Sequence, residues 1–270
     1  MLKSDRLLAN RYHGKTLRQA LQDAGLAGRP RLHMEAGRYK GFAEMHIEQG
    51  TTLEAAGEQV GVVTGIVAIW QCRIVFEGQQ DHAGGTTMAE RRDAGLAAVR
   101  LLAWLDAEFP RHCGERTVWT CGRIALSPGA ASIIPGRAEV LFQFRDISVE
   151  ALERLDAVLR RGVAESNRRE RCVAKLEVVG QSAPALCDEG WQAALAVAAD
   201  DLAPRKWRRM PSGAGHDAQY MAQVMPSAML FVPSIGGISH HWAEDTSPAD
   251  LAMGLRVLAD GARRFLAFQG

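Results

Sequence analysis

No CxxC pair occurs in these 270 residues, and the five cysteines (Cys72, Cys113, Cys121, Cys172 and Cys187) are odd in number and widely scattered. That argues against a disulfide framework and a cysteine-built zinc site, and favours a reducing cytoplasm. No apolar run reaches the ~18 residues of a membrane helix. The opening residues, Met1 to Arg6, are polar and lack the apolar stretch of a secretion signal. An excess of charge of one sign is also missing. The net charge is +1, and no basic stripe interleaved with aromatics is present, so nothing invites nucleic acid. The Gly-x-Ser-x-Gly elbow of serine hydrolases is absent, as are the phosphate-binding Gly-x-x-x-x-Gly-Lys loop and the His-Glu-x-x-His helix. There is no internal repeat and no low-complexity segment.

What is present is ordinary soluble-protein composition, 47% hydrophobic and 23% charged, over a length that suits one large domain or two modest ones. Leu17 and Leu21 at helical spacing predict a helix over Thr16 to Ala24, stopped by Gly25. Gly28-Arg29-Pro30 reads as a loop. Alternation predicts a strand over Phe42 to Glu48, followed by a short helix from Thr52 to Ala56 ended by Gly57. Strands are expected over Val62 to Ile69 and Gln71 to Phe76, and a long amphipathic helix over Met88 to Phe109, halted by Pro110. Strands at Thr117 to Leu126 and Ala138 to Arg145, a helix at Val149 to Ser166 and a strand at Val173 to Val179 follow. This order, strand, helix, strand, strand, helix, strand, is that of a ferredoxin-like α+β unit. After Gln181 come an Ala-rich helix over Asp188 to Leu202, an apolar strand over Ala228 to Val232 and a last helix started by Ser247-Pro248. The fold class is therefore α/β, in three pieces. Residues 1–61 and 181–270 form two parts of one α/β domain, and residues 62–180 form an inserted unit.

Chemistry-bearing residues cluster in four places. On the first strand, Glu44, His46 and Glu48 share one face. A histidine between carboxylates at a strand end is a candidate metal ligand, whose second nitrogen a carboxylate can orient. The other clusters are Asp81 to Met88, Ser212 to Asp217 and Gly236 to His241. Each sets a histidine among small residues that admit close approach. With serine and helix-borne zinc chemistry set aside, metal-assisted hydrolysis is the best remaining class. Asp217 also reads as a helix cap, Arg91, Arg92 and Asp93 as a solvated first turn, and His241 as a neighbour of a ligand facing the opposite way.

These clusters resemble a known family. His46-Ile47-Glu48-Gln49-Gly50, Asp81-His82-Ala83-Gly84, Arg91-Arg92-Asp93-Ala94, Ile134-Pro135-Gly136, Phe144-Arg145-Asp146, Ser212-Gly213-Ala214-Gly215-His216-Asp217-Ala218 and Gly237-Ile238-Ser239-His240 look like the hydantoinase/carbamoylase branch of the M20 metallopeptidase superfamily. The motifs run in the family's order from about Met45 to Phe265. The resemblance implies an M20-type catalytic α/β domain interrupted by a ferredoxin-like lid that also forms a homodimer. It implies two divalent metal ions (Zn, Mn, Ni or Co), which ~3.5–4 Å apart polarise a carbonyl and generate hydroxide near neutral pH. By the same resemblance His46 and His240 are metal ligands. His82 is a catalytic residue that stabilises the oxygen of the tetrahedral intermediate, reaching into the partner's site. Gln49, Ser132, Arg145 and His216 contact substrate, and Arg145 holds its carboxylate, a task suited to a planar guanidinium.

The chain departs from the family in several places. The family's His-x-Asp motif, bridging Asp and Glu-Glu pair, which bring further ligands and the general base, have no match among the 270 residues. The chain therefore reads as a truncated family member, inactive by itself. Ser132 stands where many members have Asn, Gly85-Thr86-Thr87 replaces Thr-Thr-Pro, and His241-Trp242 replaces a smaller polar-Pro pair. The leading functional expectation is a metal-dependent amidohydrolase cleaving a linear non-peptide C–N bond, in an N-carbamoyl-L-amino acid or a ureido acid such as allantoate. The alternative is a non-catalytic dimeric module that binds a small carboxylate or another subunit, and a peptidase of the superfamily comes third. No nucleic-acid or membrane partner is expected.

Overall fold

The computed structural model describes residues 9–10, 15–30 and 32–268, so the polar opening Met1 to Arg6 lies outside the described residues. Two compact units divide the chain, residues 1–38 and 39–270. The first holds a two-residue antiparallel pair, β1 (Ala9–Asn10) with β2 (Lys15–Thr16), and α1 (Leu17–Asp23). Thr16 caps this helix through a reciprocal box with Gln19.

The second unit runs β3 (Phe42–Ile47), α2 (Thr52–Ala56), β4 (Val60–Ile66), β5 (Ala68–Glu77), β6 (Asp81–His82), α3 (Ala94–Glu108), β7 (Val118–Ser127), β8 (Ile133–Ile134), β9 (Arg137–Asp146), α4 (Val149–Arg169), β10 (Val173–Gln181), β11 (Ala185–Leu186), α5 (Glu189–Leu202), β12 (Trp207–Ser212), α6 (Asp217–Met221), β13 (Ser227–Val232) and α7 (Pro248–Phe268). Helix starts follow the expected chemistry. The side chains of Asp93, Ser148 and Asp188 accept from the third helical amide of α3, α4 and α5. Gly57 closes α2 in the left-handed region at φ 65°.

Four antiparallel strands form one sheet in the order β10-β5-β9-β7, the ferredoxin-like order. Helices α3 and α4 cover it. Leu101, Leu105, Leu152, Leu155 and Val158 pack on Ile74, Phe76, Val140, Phe142 and Phe144. The second sheet is mixed, in the order β11-β4-β13-β3, with β12 parallel to β4 on its other side. Its strands come from both sides of the four-stranded layer, so the α/β part is interrupted. β13 is buried at every position because both faces are covered. On one face Trp191, Leu195, Val257 and Phe265 of α5 and α7 meet Ala228 and Leu230. On the other, Leu53 of α2 and Ala218 of α6 meet Met229 and Phe231.

Two boundaries differ from the sequence reading. The stretch from Val62 does not open the four-stranded layer: β4 belongs to the mixed sheet, and the layer begins at β5. The apolar, β-branched run is nearly unbroken from Val60 to Phe76, and such a run does not say which sheet it enters. The long helix begins at Ala94 rather than Met88, because the Asp93 side chain takes the Leu96 amide and sets the start.

Candidate functional site

The site is built where β3 meets β13. These strands pair in parallel, with Glu44 opposite Met229 and His46 opposite Phe231. Period two puts Glu44 and His46 on the same face of β3. The β12–α6 turn supplies the third member. His216 is the residue before α6, and it is 7% exposed. Donor atoms of Glu44, His46 and His216 all lie within 4.8 Å of one another. The two imidazoles meet edge to face, with ring centroids 4.7 Å apart and planes at 70°.

Each of the three side chains is held by its other polar atom. His46 Nδ1 lies 2.8 Å from the Ile47 carbonyl. Glu44 Oε2 accepts the Ala218 amide at 3.0 Å. His216 Nε2 lies 2.8 Å from the Ser212 hydroxyl, which is fully buried. His216 Nδ1 faces Glu44 Oε1 at 3.7 Å, too far for a hydrogen bond. Burial above all, and the neighbouring His46 imidazole next, push His216 down to about 4, while Asp217 opposes. The ring is therefore neutral at pH 7. Two imidazoles and a carboxylate form an N2O donor set that fits a borderline divalent cation.

Glu48 does not orient His46 as the alternation suggested. Its two oxygens accept the Thr52 and Leu53 amides, each at 2.8 Å, and so cap α2. A main-chain carbonyl takes the orienting role instead. Nor does Asp217 cap α6: it sits exposed in the first turn, and Glu44 satisfies an amide there.

Gln49 and His240 stand in the left-handed region, at φ 58° and 55°. Among the described residues only Arg205 shares that conformation without being glycine. Strain of this kind concentrates at functional loops. The buried Ser234 hydroxyl holds Gln49 by accepting its amide at 2.9 Å. Glu244 holds His240 by accepting its amide at 2.9 Å. The Glu244 carboxyl is kept below the usual carboxylate range, by the Ser239 hydroxyl beside it and the His240 amide, with the charges of His240 and His46 adding to this. His241 is exposed, and its Nδ1 accepts the Ala243 amide at 3.2 Å.

Arg145, on β9, donates to the Gly213 carbonyl at 3.0 Å and to Gln143 Oε1 at 3.3 Å. It therefore arrives from the four-stranded layer at the loop that carries His216. Burial lowers its guanidinium below the ordinary value. His82 and Ser132 come together elsewhere. β6 pairs with β8, and the Ala83 amide donates to the Ser132 carbonyl at 3.0 Å. The Gly84 and Gly85 amides both donate to His82 Nδ1, at 3.0 and 2.9 Å. An accepting Nδ1 leaves the proton on Nε2, so exposed His82 presents an N–H. Arg91 braces this loop through the Thr86 and Ala83 carbonyls, which is more than a solvated first turn. The loop around His82 lines a cavity of about 410 Å³ with Asp81, His82, Arg91 and Arg92. Among the described residues, no hydrogen bond or ring contact joins His82 or Ser132 to the His46 cluster.

The sequence places Glu44 and Ser212 in its clusters without giving either a role in the site, and it does not mark Ser234 or Glu244 at all. The i, i+2 spacing from His46 marks Glu44, and its place four residues before His216 marks Ser212. Nothing local marks Ser234 or Glu244.

The Peptidase family M20/M25/M40 matches residues 18–264. An N-carbamoyl-L-amino acid amidohydrolase of Geobacillus stearothermophilus is 37% identical over 250 residues, covering 91% of this chain and 60% of the relative. The allantoate amidohydrolase of Escherichia coli is 34% identical over 226 residues, covering 82% of this chain and 53% of the relative. The crystal structure of a hydantoinase/carbamoylase family amidase from Burkholderia phymatum superposes with a TM-score of 0.81 at 44% identity, covering 94% of this chain and 61% of that one. The chain thus spans little more than half the length of these relatives. The motifs, the interrupted mixed sheet and these likenesses agree that the chain belongs to the M20 family, on its hydantoinase/carbamoylase amidase branch.

Proposed function

We propose that this chain serves a metal-dependent amidohydrolase that cleaves a linear non-peptide C–N bond beside a carboxylate, as in an N-carbamoyl-L-amino acid or a ureido acid. The observation that carries this reading is the meeting of Arg145 with the Gly213 carbonyl. It sets a carboxylate-binding guanidinium beside the loop that ends in His216, next to His46. A divalent cation (Zn, Mn, Ni or Co) held by His46 and, at a second position, by His240 would lend Lewis acidity to the scissile carbonyl. Arg145 holds the substrate carboxylate and Gln49 lies beside the scissile group, while Ser132, next to the His82 loop, would meet that carboxylate in a partner's site. The Nε2–H of His82 is set to donate to the oxygen on which charge develops. His82 sits on a loop apart from the His46 cluster, which suits a residue that serves the site of a second subunit. The family's Glu-Glu base has no match in the chain, so the 270 residues alone bind substrate without turning it over. The four-stranded layer is proposed as lid and dimerisation surface, and the cytoplasm as the compartment, in keeping with five free thiols. No helix among the described residues is long and apolar enough to cross a membrane.

The test has two arms. Calorimetry on the chain with Mn²⁺ or Zn²⁺ should show binding of an N-carbamoyl-L-amino acid and no ammonia release. A chimera carrying the preceding region of the Geobacillus relative should release ammonia in a metal-dependent manner. Preference of the chimera for a dipeptide, or absence of any hydrolysis, would overturn the reading. The second reading, a non-catalytic dimeric module, is favoured by the outer strand β7, which exposes Val118, Ile124 and Leu126. It predicts a dimer in gel filtration whose chimera stays inactive.

A further inference from the structure

The motif Arg91-Arg92-Asp93-Ala94 fastens the element that carries His82 at three points. Asp93 first anchors the motif itself, by taking the Leu96 amide at 2.9 Å and starting α3. From there the Arg92 carbonyl accepts the Gln79 amide at 2.8 Å, just before β6. The Ala94 amide donates to the Pro135 carbonyl at 3.1 Å, just after β8. These strands are antiparallel, so both bonds tie the β6–β8 pair at the same end. Arg91 takes the opposite end. Its Nε donates to the Thr86 carbonyl at 3.1 Å, and a terminal nitrogen donates to the Ala83 carbonyl. One half-buried guanidinium therefore spans the turn from Ala83 to Thr86. Inside that turn the His82 carbonyl accepts the Thr86 amide at 3.2 Å and the Thr86 hydroxyl at 3.0 Å. Closing the turn is what brings the Gly84 and Gly85 amides onto His82 Nδ1. His82, Gly84 and Gly85 are all exposed, so burial does little to hold this arrangement.

From this we infer that Arg91 is a positioning residue, which keeps closed the turn whose amides aim the His82 imidazole and so sets the direction of its Nε2–H. The inference rests on the reading of His82 as the donor to the developing oxygen charge, and names the side chain that aims it. Arg91 acts through two main-chain carbonyls. A lysine ammonium keeps the charge and lacks the planar fork that reaches both.

Hydrogen exchange on the unsubstituted 270-residue chain gives the first test, without a variant. The Gly84 and Gly85 amides should exchange about tenfold more slowly than unbonded exposed amides, which corresponds to the net worth of one hydrogen bond. In Arg91→Lys and Arg91→Ala this protection should be lost. The imidazole nitrogen-15 shifts of His82 should pass from a single Nε2–H tautomer to a mixture. Arg100→Ala, which removes an exposed guanidinium from α3, should leave both readouts unchanged. In the chimera carrying the preceding region of the Geobacillus relative, Arg91→Lys should lower kcat about 10- to 100-fold at unchanged KM, as a misplaced group does. Unprotected Gly84 and Gly85 amides in the unsubstituted chain, or an unaltered His82 spectrum in both Arg91 variants, would overturn the role of Arg91. A loosened turn with undiminished kcat would leave the clamp standing and remove His82 from the reaction instead.

Discussion

Arg145 donates to the main-chain carbonyl of Gly213 across 68 residues of sequence, at 3.0 Å. One arm of the guanidinium is thus spent on positioning and the other reaches Gln143 Oε1, and the remaining N–H donors of its five are left for a ligand. Arg145→Ala should weaken binding of an N-carbamoyl-L-amino acid about 10- to 100-fold, the range for hydrogen bonds to a charged group. Arg145→Lys should not restore it, because an ammonium cannot hold a carbonyl and a carboxylate in one plane. Calorimetry on the metal-loaded chain reads both. Unchanged affinity in Arg145→Ala would remove the residue from the substrate site.

Ser234 is fully buried, and its hydroxyl accepts the Gln49 amide at 2.9 Å. Ser234→Ala leaves that amide unpaired beside a left-handed residue. The expected loss is about 1–3 kcal/mol, measured by urea denaturation. A shift of a few tenths would mean that water replaces the hydroxyl.

Gly78 admits the Arg92 carbonyl so closely that an added Cβ would lie 2.0 Å from it. The neighbouring Gln79 amide donates to that same carbonyl at 2.8 Å. Gly78→Ala should therefore push apart the base of the His82 loop and cost about 1–3 kcal/mol, with faster hydrogen exchange at Gln79. Gly122→Ala is the control. Nothing lies within 4 Å of its added Cβ, so stability should hold.

Burial pushes the Cys72 thiol up to about 12 and the Cys187 thiol up to about 11. In the unfolded chain both return to about 8.5. Above that pH the unfolded state binds fewer protons than the native one, so stability falls as pH rises. Each thiol contributes a slope of about 1.4 kcal/mol per pH unit, up to pH about 11 for Cys187 and about 12 for Cys72. Denaturation midpoints between pH 8 and 11 should fall accordingly, and Cys72→Ala should flatten the curve. At pH 8 both thiols should resist alkylation in the folded protein. Rapid labelling of Cys72 would contradict its burial.

Local signals carried much of this fold. The alternation around His46, the Asp188 and Ser148 caps and the buried run of β13 were legible because each depends on a few neighbouring residues. The strand order of the inserted layer followed from its succession of elements. The placement of β4 was not legible, since Val60 to Ile66 is equally apolar whichever sheet it joins. The histidines of the site were visible as motifs. Their environment was not, because Ser234 reaches Gln49 and Ala218 reaches Glu44 only after distant segments pair. The Ser212 hydroxyl meets His216 and makes two bonds to Ala214, which no residue pattern announces.

The parallel pairing of β3 with β13 also sets a timetable. During synthesis Phe42 to Ile47 emerges early, and every strand of the four-stranded layer, ending at Gln181, emerges before Ser227. Contacts of long sequence separation close late. The growing chain therefore carries His46 on an unpaired strand while more than a hundred residues are added. Glu44, His46 and His216 are locked in place only once β13 slides between β3 and β4. Whatever these three side chains do together in the nascent protein therefore waits on the last strand of their sheet.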